Sequence, residues 1–138
     1  MVAERELIRV MLSARAMIER IGERIAAQEF RDRQYREIFE ALARFGAEAT
    51  SEEIAAALSE ESTAVVDALM AEPDAIQDVE RTVHDCLTRL EVRALRERNA
   101  EIQHLMTAAT SDEKNGLVAE KQANSHVIRR LTEGGVVQ

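Results

Sequence analysis

The chain has one cysteine, one proline, no tryptophan and four aromatic residues among 138. A lone cysteine, Cys86, excludes a disulfide framework and fits a reducing compartment. With one proline and five glycines there are few helix breakers. Ala, Leu, Glu and Arg are abundant, so the composition leans toward helix. No apolar run approaches the ~20 residues of a membrane span. No basic-then-apolar segment at the N-terminus reads as a signal peptide, and the expected location is the cytoplasm. Basic residues are scarce too: 18 Lys+Arg against 26 Asp+Glu give a net charge of −8. That balance opposes a dedicated nucleic-acid-binding surface, which needs a basic face to neutralise phosphates. Basic side chains are missing altogether from residues 45–79, which hold nine acidic ones. Residues 1–44 carry nine basic and eight acidic side chains, and residues 80–138 carry nine of each. The whole excess of charge sits in the middle third.

What is present is enough apolar sequence, 46% of the chain, to bury a core without disulfides or metal. Leu7, Ile8, Val10, Met11 and Leu12 form an apolar helix over 3–13 behind a charged first turn, Glu4-Arg5-Glu6. Met17, Ile18, Ile21 and Ile25 fall at helical spacing over about 16–26. The best-defined helix runs from Arg33 to Phe45, with Asp32 as N-cap and Gly46 just past its end. Its stripe is Tyr35, Ile38, Phe39, Leu42 and Phe45. The opposite face is Arg36, Glu37, Glu40 and Arg44. All four aromatics lie between Phe30 and Phe45, and this stretch is read as the nucleus of the core. Thr50 and Glu53 fit a capping box that opens a fourth helix, with Ile54 and Leu58 facing inward. A fifth helix spans 60–72, carries Val65, Val66, Leu69 and Met70, and stops at Pro73. From about Asp74 to Thr110 there is neither Gly nor Pro. Apolar residues recur there at three-and-four spacing, which predicts one helix of roughly 35 residues and roughly 50 Å. A polar turn over 108–116 then leads to a last helix from about Ser111 to Thr132.

The fold class read from this pattern is all-α. An N-terminal multi-helix bundle over 1–78 is joined by a long helix to a C-terminal helical hairpin over 79–138.

Catalytic chemistry finds little purchase in this pattern. His84 and Cys86, two apart on a helix, point about 200° apart and cannot share a metal. With a turn near 112, position 104 faces about 120 and 126 faces about 98, so His104 and His126 do not meet. No serine stands in a Gly-flanked elbow, and no phosphate-binding glycine motif occurs. The reading is therefore no catalytic residue, no metal ligand and no cofactor. The carboxylate pairs Glu52-Glu53 and Glu60-Glu61, with Asp74 and Asp78, read as a solvated acidic face that repels nucleic acid or steers a basic partner. Acidic ligands alternating within a turn, as a Ca²⁺ loop requires, do not occur.

The hairpin carries the functional signal. Its expected seam is Leu95, Arg98, Ile102, Leu105 and Ala109 on one arm, and Leu117, Lys121, Asn124, Ile128 and Leu131 on the other. Polar residues interrupt both stripes, so the arms bury little against each other. Leu117, Val118, Lys121, Val127, Ile128, Arg129 and Leu131 are the candidate partner-binding residues, apolar groups within a polar rim.

The stretch Glu4-Arg5-Glu6-Leu7-Ile8-Arg9-Val10-Met11-Leu12, then Phe30-Arg31-Asp32 and Tyr35-Arg36-Glu37-Ile38-Phe39-Glu40-Ala41-Leu42, resembles the C-terminal, helicase-binding domain of bacterial DnaG-type primase. Asp85-Cys86-Leu87-Thr88-Arg89-Leu90, followed by a charged long helix, a polar turn and a returning helix, extends the resemblance over about residues 4–133. It implies a non-catalytic domain, cut from a primase whose zinc-binding and polymerase domains lie upstream. Such a domain docks on the N-terminal domains of the hexameric, DnaB-type replicative helicase, recruits primase to the replication fork and modulates the helicase. It implies no cofactor, no direct nucleic-acid or membrane binding, and leaves self-association open. The alternatives are the N-terminal domain of the helicase itself, which shares the bundle-and-hairpin plan, or a generic helical interaction module.

Overall fold

The computed structural model describes residues 2–133. They form seven α-helices and no strand: α1 (Val2–Ser13), α2 (Met17–Arg24), α3 (Arg33–Phe45), α4 (Ser51–Ala57), α5 (Glu60–Met70), α6 (Val79–Leu105) and α7 (Ser111–Glu133), with a 3-10 turn at Ala27–Glu29. The protein is all-α. Its backbone contacts divide it into two compact units, the first ending at Leu87 and the second beginning at Thr88. The division falls inside α6 instead of at 78/79, because the first turns of α6 count with the bundle; Val83, Cys86 and Leu87 are buried there.

The N-terminal unit is built around α3, which packs against α1, α2, α4, α5 and the 3-10 turn. Its bounds are those the aromatic stripe predicts. Asp32 Oδ1 accepts hydrogen bonds from the N–H groups of Gln34 (2.9 Å) and Tyr35 (3.1 Å). Gly46 ends the helix at φ +77°, where its N–H donates to the Leu42 carbonyl at 2.8 Å. A side chain at that φ is strained, which is why glycine stands there. Phe30, Ile38, Phe39 and Leu42 are buried. The Phe30 and Phe39 rings meet at 4.9 Å between centroids and a tilt of 34°. Tyr35 and Phe45 are half-buried at the margin, and Arg44 lies 5.5 Å from the Phe45 ring centroid.

Two acidic residues, one from the charged first turn of α1 and one from the face of α3 opposite its stripe, are structural. Glu4 is fully buried, and its Oε1 accepts from the N–H groups of Arg31 (2.9 Å) and Asp32 (3.1 Å). This carboxylate ties α1 to the entrance of α3. Glu37, on the expected outer face of α3, accepts from the Ser59 N–H at 2.6 Å and the Ser59 hydroxyl at 3.2 Å. It thereby holds the residue that caps α5. Chiefly through the Ser59 N–H, its carboxyl is held below its ordinary 4.5. Arg36 on the same face donates to the Phe30 carbonyl through Nε (3.1 Å) and Nη2 (2.9 Å). Glu72 pairs with Arg5 and Arg9 of α1, so part of the acidic middle third is neutralised.

Several helix ends differ from the sequence reading. α2 stops at Arg24, because buried Ile25 is extended and the chain then enters the 3-10 turn, where Glu29 Oε2 accepts from the Ala26 N–H at 2.7 Å. α5 stops at Met70, two residues before the predicted end, and Met70 is 58% exposed. Thr50 caps α4 by accepting from the Glu53 N–H at 3.1 Å. The Glu53 carboxylate takes the Thr50 hydroxyl at 3.2 Å instead of the Thr50 N–H, so the box is only half formed. α6 has 27 residues, about 40 Å, and not the roughly 35 expected. Asp78 caps it, accepting from the Arg81 N–H at 3.1 Å, which leaves 74–78 outside the helix.

Candidate docking face on the C-terminal hairpin

The C-terminal unit consists of the last part of α6 and all of α7. α6 closes with tight bonds from the Thr107 N–H to the His104 carbonyl and from the Ala108 N–H to the Leu105 carbonyl, both 3.3 Å. Thr110 then caps α7: its Oγ1 accepts from the Glu113 N–H at 3.3 Å and donates to Glu113 Oε1 at 2.9 Å. The turn is therefore 106–110, and Gly116 lies within α7 and not in the turn.

Polar bonds set the register of the two arms. Lys121 Nζ donates to Gln103 Oε1 at 2.7 Å. Asn124 Nδ2 donates to Asn99 Oδ1 at 3.1 Å, and Asn99 Nδ2 donates to Ser125 Oγ at 3.3 Å. Arg98 reaches Glu120 through Nε at 2.6 Å and Nη2 at 3.0 Å, and also reaches Glu101 through Nη1 at 2.7 Å. This pairing holds the Glu120 carboxyl below its ordinary range, first through the hydrogen bond from Arg98, and raises Arg98 for the reciprocal reason. The pairs 103/121 and 99/124 are centred near 112, past the observed turn at 106–110, so the arms are offset there, whereas 98/120 is centred within the turn.

The apolar contribution to the seam is thin. Ile102 is fully buried, but Leu105 is 45% exposed where a seam position was expected, since α6 ends at that residue. No described residue of α7 is fully buried along its 23 residues, about 34 Å. The seven candidate partner-binding residues separate into two sets. Leu117, Lys121, Val127, Ile128 and Leu131 share the half-buried face of α7 with Glu120 and Asn124. Val118 (36% exposed) and Arg129 lie off that face on an exposed flank, three turns apart. Lys121 is engaged with Gln103, so it serves the hairpin itself.

Cys86 is buried whereas His84, His104 and His126 are exposed, so His84 and Cys86 point to different environments, as their spacing implies. Among the described residues, no three His, Cys, Asp or Glu side chains cluster to hold a metal ion. No helix among them is long and apolar enough to cross a membrane. The contributions that sequence reasoning missed are those of Glu4, Glu37 and Arg98–Glu120, each of which links segments more than 20 positions apart.

Comparison with known proteins finds no family model, no curated protein and no solved structure that matches this chain.

Proposed function

We propose that this chain is a protein-interaction domain of the helicase-binding type found in bacterial DnaG-like primases. In this reading the hairpin docks on the N-terminal domains of a replicative DnaB-type helicase, recruits primase to the fork and modulates the helicase. The observation that carries it is α7. It is a 23-residue helix with Val127, Ile128 and Leu131 in its second half, and it buries none of its described side chains completely. Helices in proteins draw most of their stability from packing an apolar face, so a helix packed this thinly gains from a partner that covers Val127, Ile128 and Leu131. Basic and acidic residues are balanced over 80–138, which suits a polar rim around such a contact. The resemblance over residues 4–133 supplies the identity of the partner.

The test is capture of the replicative helicase of the same source organism by the immobilised chain. The wild-type chain retains the helicase. Ile128→Asp, which places a charge in the contact, loses it while far-UV circular dichroism stays unchanged. Equal retention by the variant rules the docking face out.

A further inference from the structure

A hollow of about 130 Å³ opens on the N-terminal unit, where Leu12 of α1, Arg15 just after it, Ile54 and Leu58 at α4, and Val66 and Met70 of α5 come together. Ile54 and Leu12 are buried in its floor, while Met70 stands exposed at its rim. Arg15, the cation beside it, donates to the Ala49 carbonyl and is thereby tied down. Asp67 lines the hollow, and exposed Glu52, Glu53, Glu60 and Glu61 stand on the same two helices. Neither α4 nor α5 carries a basic residue. The hollow thus has an apolar floor, an adaptable methionine at its lip and one lining carboxylate, Asp67, on a pair of helices whose charged residues are all acidic.

Charge complementarity selects the occupant. Anionic lipid and nucleic acid are repelled by α4 and α5. We propose that the hollow docks an amphipathic helix of a partner protein, its apolar side chains seated between Leu12, Ile54 and Val66 and its lysines or arginines meeting Asp67 and the acidic, base-free surface of α4 and α5. This site lies wholly on the bundle and does not depend on what the hairpin binds.

The test uses the intact chain and two fluorescein-labelled synthetic helices of about 16 residues, with leucines at identical i, i+3, i+4, i+7 positions. One carries lysines at its remaining positions and the other glutamates. Anisotropy titration gives at least about tenfold tighter binding of the lysine helix. Met70→Asp weakens that binding by about tenfold or more. This variant separates docking from loose attraction, because an added negative charge strengthens any unspecific pull on a basic peptide. Asp67→Lys weakens the lysine helix and favours the glutamate helix. Ile128→Asp on α7 leaves both titrations unchanged. Equal affinity for the two peptides, or undiminished binding to Met70→Asp, overturns the proposal. So does sedimentation in which the chain alone is a dimer that Met70→Asp dissociates, since the occupant is then a second copy.

Discussion

Arg98 on α6 grips Glu120 on α7 with two guanidinium nitrogens, and the same guanidinium holds Glu101 one turn along its own helix. One side chain therefore fixes both the register of the hairpin and the local helix face. The cycle Arg98→Gln, Glu120→Gln and the double variant measures this coupling by thermal melts followed by circular dichroism. The double variant loses less stability than the sum of the two singles. The coupling shrinks in 1 M salt, because the pair faces water and is screened.

Gly116 sits inside α7, and a Cβ built there meets nothing within 4 Å. Gly116→Ala removes backbone freedom from the unfolded chain and fills no occupied space. It stabilises the hairpin by about 0.5–1 kcal/mol, read as a higher urea midpoint. A neutral or destabilising result places Gly116 in a turn.

Glu4 supplies one oxygen to two backbone N–H groups at the start of α3. Glu4→Ala leaves both without that acceptor in a part-buried setting and costs about 2–3 kcal/mol in urea denaturation. Glu4→Gln keeps a carbonyl oxygen at the same reach and loses less.

Much of the architecture was legible in the sequence, and the boundary between legible and hidden is physical. α3 announces itself through local signals: an aromatic stripe, an Asp before it and a Gly after it. The pattern Thr110-Ser111-Asp112-Glu113 repeats Thr50-Ser51-Glu52-Glu53, and both threonines cap helices. Reading the second as well as the first places Gly116 within α7. Glu4 and Glu37 gave no such signal. Each is a charged residue on a helix, and its partner lies more than 20 positions away, where helical periodicity carries no information. The start of α6 was hidden for a related reason: Ile76 and Val79 continue the apolar spacing across a segment that Asp78 then interrupts as a cap. The apolar stripe of α7 was legible, and five of the seven candidate docking residues lie on it. Which of them face the hairpin, and which face outward, needed the structure.

Glu37 gives the bundle a pH dependence of definite sign. Its folded pKa lies below 4.5, first because the Ser59 N–H donates to the carboxylate. The stabilisation is therefore fully present above the unfolded value and is lost as pH falls through the folded one. Glu37→Gln lowers the urea midpoint at pH 7. The gap between variant and wild type narrows as pH falls from about 5 to about 3. Glu80, lowered by its hydrogen bond from Arg20, and Glu120 move the wild-type midpoint in the same direction. A gap that is constant across this range contradicts the assignment.

Docking is tested most directly by titrating the N-terminal domains of the replicative helicase with wild-type chain, Leu131→Asp and Val118→Asp, each checked for unchanged helicity. Leu131→Asp weakens binding by about tenfold or more, because the charge must be desolvated in an apolar contact. Val118→Asp, on the exposed flank of α7 about 140° around from Leu131, changes it little. Binding that is absent for the wild type, or equal for wild type and Leu131→Asp, contradicts docking.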